Sequence, residues 1–210
     1  MSVEHLTFAE PFFPVIYIIG ESQFAVRGKS IILNLSQKPI HIRHQRLDFF
    51  RSTVVMNIEV IDLERCLIIG NFDGYPGLDA LFERIKKQWT IIYEATHLER
   101  HKGVQLYRSP KIRLGNDIEV NMCYADSIPL NVGLHRTHWG ERPIREVHTQ
   151  IVGFGRMQQY FEQEMSTLYR EDYLAPGVTH DPMYDDECVY PWHQYEPVTK
   201  GVYMATEMQI

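Results

Sequence analysis

Arg145-Glu146-Val147-His148-Thr149-Gln150-Ile151-Val152-Gly153-Phe154-Gly155 is the stretch on which the fold turns. Side chains alternate across an extended strand. Glu146, His148 and Gln150 therefore share one face, and Val147, Thr149 and Ile151 share the other. Facing solvent, this would be an ordinary amphipathic strand. Facing the inside of a barrel, it sets a carboxylate and an imidazole side by side in a cavity. Buried polar groups need partners, and a metal ion satisfies both of these at once.

The flanks add to the pattern. His135 and His138 precede the strand, three residues apart, so a straight strand would turn only one of them inward. Leu174-Ala175-Pro176-Gly177-Val178-Thr179-His180 is a tight turn that delivers a histidine. Pro191-Trp192-His193-Gln194-Tyr195 opens another strand, with His193 and Tyr195 on one face. Five of the ten histidines thus fall between positions 135 and 193. Imidazole with carboxylate suits Fe(II), Mn(II), Ni(II) or Zn(II).

Around this segment, strands dominate. Pro14–Gly20, Gln23–Val26, Ser30–Leu35, Thr53–Ile61 and Arg65–Ile69 read as strands in the first half, with a turn at Arg27-Gly28-Lys29. Leu78, Leu81, Phe82, Ile85 and Trp89 recur at helical spacing and predict a helix over 78–89. After Gly103 come Lys111–Leu114, Ile118–Tyr124, Gly133–His138, Arg145–Val152, Met157–Phe161, Leu168–Leu174, Trp192–Tyr195 and Gly201–Glu207. Many short strands with recurring turn signals indicate a sandwich or a closed barrel. No sequence repeat is visible. The natural division is 1–102, a β-rich extension with one helix, and 103–210, the barrel.

Here the chain resembles the cupin superfamily, whose members are double-stranded β-helix barrels. That family's first motif ends in a glutamate, six residues and a glycine, the spacing of Glu146 and Gly153. Its second motif has a proline, a glycine and a histidine three residues later, matched by Pro176, Gly177 and His180. The resemblance covers roughly residues 110–209. It implies a mainly β, cupin-like barrel with an N-terminal β-rich extension and one or two helices.

The chain also departs from the family. The histidine pair expected four to five residues before Glu146 is absent, since Gly140-Glu141-Arg142 stand there, and His135 and His138 lie further back. His148 shares a face with Glu146 and is a substitute for a missing ligand. His180 and His193 compete for the second-motif role. The implied ligand set is drawn from His135, His138, Glu146, His148, His180 and His193 around one divalent ion. Glu146 and Tyr195 are the candidate catalytic groups. The histidine-rich set favours Fe²⁺ and an oxygenase. Zn²⁺, Mn²⁺ or Ni²⁺ would instead act as a Lewis acid for isomerisation, epimerisation or elimination. A non-catalytic small-molecule binding barrel is a further reading, as is a metal-free barrel working through His148 and Tyr195.

Composition narrows the partners. The 210 residues are 44% hydrophobic and 23% charged, an ordinary globular balance. A net charge of −6 argues against nucleic acid or an anionic membrane, which need concentrated positive charge. A small polar organic substrate is the expected partner. Cys66, Cys123 and Cys188 form no CxxC pair, which fits a reducing cytoplasm. The first residues carry Glu4 and Glu10 without a basic stretch, unlike a signal peptide. Exposed barrel edges point to a homodimer. Three other patterns carry less: His97-Leu-Glu-Arg-His101 lacks the zinc-protease placement of glutamate, His41–Arg46 reads as a basic turn, and Gly70–Gly77 lacks the lysine of a phosphate loop.

Overall fold

The computed structural model describes residues 1–93, 103–130, 132–136, 144–183 and 189–209. The first half is built on β2, Val15–Asn34, and β5, Ser52–Gly70. They pair antiparallel from Val15↔Ile69 to Leu33↔Ser52. A ribbon this long must curl, because strands twist. Gly20, Gly28, Asn57 and Asp62 all take positive φ within it, a conformation that Gly, Asn and Asp accept most readily. The curl returns Ser30–Asn34 to a second pairing with Cys66–Gly70. β1, Ser2–Leu6, adds to the edge of β2, and β3, Ile40–Ile42, and β4, Gln45–Leu47, form a small hairpin beside β5.

This geometry revises two expectations. The turn at 27–29 and the gap at 62–64 do not separate strands; they are bends within β2 and β5. Residues that read as turn signals supply the left-handed kinks of a continuous ribbon.

Helix α1, Leu78–Gln88, follows. It buries Leu81, Phe82 and Ile85, and carries Asp79 in its first turn and Lys86 and Lys87 in its last, matching the helix dipole. β6, Thr90–Ile91, then follows, and the second half contributes β7, Leu106–Arg108, β8, Ile112–Leu114, and β9, Ile118–Ala125. β10 spans Ile144–Val152, β11 Gly155–Tyr160, β12 Leu168–Leu174, β13 Trp192–Pro197 and β14 Gly201–Gln209. One sheet runs β10-β14-β9-β7-β6, with β8 on β9, and the other runs β12-β11-β13. The segment read as a strand over Gly133–His138 supplies a single bridge, His135↔His193; Thr137 and His138 lie outside the described residues.

β10 leads into β11, and β13 into β14. Pairing runs from Ile144↔Gln209 to Gly155↔Pro197 and on to Tyr160↔Trp192. The second half is therefore another antiparallel ribbon passing from one sheet to the other. Gly153 and Gly201 make the bend. A Cβ on Gly153, at φ +76°, would fall 2.5 Å from the Lys200 carbonyl oxygen, and one on Gly201 2.2 Å from that of Val152. Two curled ribbons, one per half, make the chain a mainly β protein of double-stranded β-helix type.

The layers follow from alternation. In the first half Ile18, Ile32, Cys66 and Ile68 close on Val26, Ile40 and Leu63. Val15, Tyr17, Ile31, Leu33, Leu67 and Ile69 point the other way. They meet Val120, Met122, Tyr124, Val147, Ile151, Val202 and Met204 from the β10-β14-β9 sheet, with Leu81 and Phe82 of α1, in one large core. That sheet is buried on both faces, and its second face looks across at β11 and β13. Polar ties fasten the halves: Arg65 donates to both carboxylate oxygens of Asp117 at 2.9 and 2.8 Å, and the Ser52 hydroxyl donates to the Gly177 carbonyl at 2.7 Å.

Candidate functional site

β10 carries Glu146, His148 and Gln150 on the face opposite the large core, all less than 10% exposed. Nε2 of His148 lies 3.3 Å from Oε1 of Glu146. Nδ1 of His148 is buried and has no hydrogen-bond partner among the described residues. The ring meets Tyr195 and His180 edge-on and tilts against Tyr203, with centroids 5.8, 5.3 and 4.8 Å away.

His193 of β13 and His135 exchange backbone hydrogen bonds of 2.9 and 3.1 Å. This sets their rings side by side, with centroids 4.4 Å apart. Each ring is held by a carbonyl: Nδ1–H of His135 donates to Gly133 at 3.2 Å, and Nδ1–H of His193 to Pro191 at 3.0 Å. With the proton fixed on Nδ1, Nε2 is the basic nitrogen of both rings. Metal-ligating histidines are oriented in this way.

His135, Glu146, His148, His193, Tyr195 and Tyr203 line a cavity of about 130 Å³, with Leu106, Leu130 and Val132 on its apolar side. The structure thus brings together His135, Glu146, His148, His193 and Tyr195 from the sequence-derived set.

His180 stands behind the cavity. Its Nδ1–H donates to the Asp181 carbonyl at 2.6 Å, and its Nε2 accepts the His148 backbone N–H at 2.8 Å. Burial, reinforced by neighbouring His148, pushes its pKa down to about 3. Both nitrogens are engaged by backbone, so this histidine acts as a strut for β10 and offers no lone pair to an ion. The turn before it runs alongside β10: the Gly177 N–H donates to the Gln150 carbonyl at 2.8 Å, and the Thr149 and Thr179 hydroxyls meet at 2.7 Å. His138 lies outside the described residues.

Tyr195 lies against Gly155, where a Cβ would come 2.3 Å from its hydroxyl oxygen. Its hydroxyl donates to Oε1 of Gln150 at 2.9 Å. Burial raises its pKa above the ordinary phenol value, and that of Tyr203 as well. Both phenols therefore stay protonated at neutral pH and serve as donors; Glu146 and the imidazoles are the groups able to accept a proton.

Tyr203 and Gln150 were not singled out as site residues from the sequence. They stand directly opposite each other in the β10–β14 pairing. Knowing that register would have placed Tyr203 beside the histidines.

The donor types suit a divalent cation. Their present arrangement does not complete a coordination shell: among the described residues, no three His, Cys, Asp or Glu side chains are gathered closely enough to hold an ion. Among the same residues, no helix is long and apolar enough to cross a membrane.

No protein-family model matches the chain, and no curated protein matches it. Among solved structures it is similar to oxalate decarboxylase from Bacillus subtilis, at 11% identity over 94% of this chain and 67% of that one, with a TM-score of 0.34. It is also similar to a protein of unknown function of the DUF861 family from Pseudomonas syringae pv. tomato, at 8% identity, 95% and 83% coverage and a TM-score of 0.32. A third likeness is to an 11S allergen from Cocos nucifera, at 8% identity, 99% and 85% coverage and a TM-score of 0.36. What the cavity does is decided by its own side chains.

Proposed function

We propose that the chain binds one divalent metal ion in the C-terminal cavity and uses it to bind or transform a small polar molecule. His135, Glu146, His148 and His193 are the ligand set. The supporting observation is the pair of histidines whose Nδ1–H groups are pinned on the Gly133 and Pro191 carbonyls, so that both basic nitrogens belong to rings lining the cavity that also holds Glu146 and His148. The ion would supply Lewis acidity or, as Fe²⁺, access to O₂. The histidine-rich set is what supports the Fe²⁺ oxygenase form of this reading. In either form Tyr195, whose one hydroxyl proton goes to Gln150, offers its oxygen as an acceptor, and Glu146 or a histidine outside the shell accepts a proton.

The test uses chelator-treated protein offered Fe²⁺, Mn²⁺, Zn²⁺ or Ni²⁺ in turn, anaerobically for iron. Near-stoichiometric binding with a raised melting temperature is expected, lost in His193→Ala and in His148→Ala. Absence of binding by all four ions would overturn it.

The 3.3 Å approach of His148 Nε2 to Glu146 Oε1 favours one second reading, a metal-free cavity in which this pair moves a proton. Under that reading, activity or ligand binding survives chelation and is lost in Glu146→Gln.

A further inference from the structure

A second, larger cavity of about 440 Å³ lies at the rim of the barrel, lined among others by Arg136, Gln159, Phe161, Tyr169, Tyr190 and Trp192. Its size is that of a small-molecule pocket. It is the neighbour of the inner cavity across His193. Arg136 follows His135 and Trp192 precedes His193, so the His135↔His193 bridge also brings the arginine and the indole together. Gln159 pairs with His193 across the β11–β13 ladder, and the Tyr190 ring centroid lies 5.7 Å from that of His193.

The walls have a definite chemistry. Phe161 and Tyr169 stack with centroids 4.5 Å apart, and Tyr190 and Trp192 supply further aromatic surface. Phe161 is 75% exposed, an open apolar ring at the edge of a pocket. Two guanidinium groups line the pocket, and they differ. Arg170 is held by Asp172 and Asp181, each at 3.0 Å. Arg136 sits over the Trp192 ring at 5.2 Å and forms no ion pair with a described residue. Such stacking orients a guanidinium while leaving its N–H fork to face an anion. The Gln159 amide oxygen accepts the Tyr169 hydroxyl at 2.9 Å, which fixes the polar side of the pocket. A guanidinium at Arg136 between aromatic walls describes a receptor for a flat acid.

We propose that this rim pocket binds a planar aromatic or conjugated carboxylate, its ring against Trp192 and Phe161 and its carboxylate on Arg136. This names the substrate class of the neighbouring metal site and rests on that reading for the chemistry, but the pocket itself is built without the ion.

Benzoate is the probe, with benzyl alcohol and acetate as controls lacking the charge and the ring. Binding is measured by NMR titration on chelator-treated protein and repeated after metal loading, so that failure of the metal reading leaves this test intact. Benzoate should bind in both states. Benzyl alcohol and acetate should bind at least about tenfold more weakly, the scale of a lost charge-assisted hydrogen bond. Arg136→Gln and Trp192→Leu should weaken benzoate by a similar factor while Trp192→Phe retains it. Arg136 is exposed, so Arg136→Gln should keep its melting temperature and its affinity for benzyl alcohol. No benzoate binding, equal binding of benzoate and benzyl alcohol, or unchanged benzoate affinity in Arg136→Gln would each overturn the assignment.

Discussion

Mild acid should destabilise the barrel through His180. This histidine is buried, with one nitrogen donating to Asp181 and the other accepting from the backbone of β10, and its pKa is pushed down to about 3. In the unfolded chain the same group titrates near roughly 6.5. Between those values the unfolded chain binds a proton that the folded chain refuses, so stability rises with pH across the window. The contribution is complete above about pH 6.5 and is lost on acidification at about 1.4 kcal/mol per pH unit. By pH 5 the loss is about 2 kcal/mol, and near pH 3 it approaches a ceiling of roughly 5 kcal/mol. Urea unfolding at several values between pH 7.5 and 5 measures it. The comparison that isolates this group is with His180→Gln. Gln cannot titrate, and the variant should be less stable at pH 7.5 but lose about 2 kcal/mol less than the natural chain on going to pH 5. Parallel pH profiles in the two proteins would show that His180 is not held neutral by its surroundings.

Two further substitutions probe the walls of the site. Gly155→Ala places a methyl 2.3 Å from the Tyr195 hydroxyl oxygen and 2.5 Å from its Cε2; overpacking plus disturbance of the Gln150 bond should cost about 2–4 kcal/mol, a fall of roughly 5–12 °C in a chain of this size, and an unchanged melting curve would mean that the ring has room to move. Ser52→Ala removes the hydroxyl that donates to Gly177 and meets Thr179 at 2.6 Å; the loss expected from the urea midpoint is about 1–2 kcal/mol, and no loss would show that the turn before His180 is held by packing alone.

The sequence displayed some parts of this molecule better than others, for physical reasons. α1 was legible because Leu81, Phe82 and Ile85 bury one stripe while the remaining face is charged. The alternation that separates Glu146 and His148 from Val147 was legible because the two faces of β10 meet different surroundings, a polar cavity and an apolar core. The length of β2 and β5 was hidden. Both of their faces are partly buried, and the left-handed residues Gly28 and Asp62 sit where the sequence suggests breaks. His135 and His193 could be recognised as candidates, but their pairing depends on a single bridge between segments far apart in sequence. His180 was the misleading residue. Its motif spacing marked a ligand, whereas its two backbone hydrogen bonds give it another task.

The sheet that carries Glu146 and His148 is covered on its other side by the first half of the chain. Cutting the protein near residue 103 would therefore strip that cover and leave Val120, Met122, Tyr124, Val147, Ile151, Val202 and Met204 as one greasy plate in water. Such a plate is an adhesive surface, so the excised second half would precipitate or pair with itself through it. The two halves share one core, and variation in the first reaches Glu146 and His148 through the thickness of a single sheet.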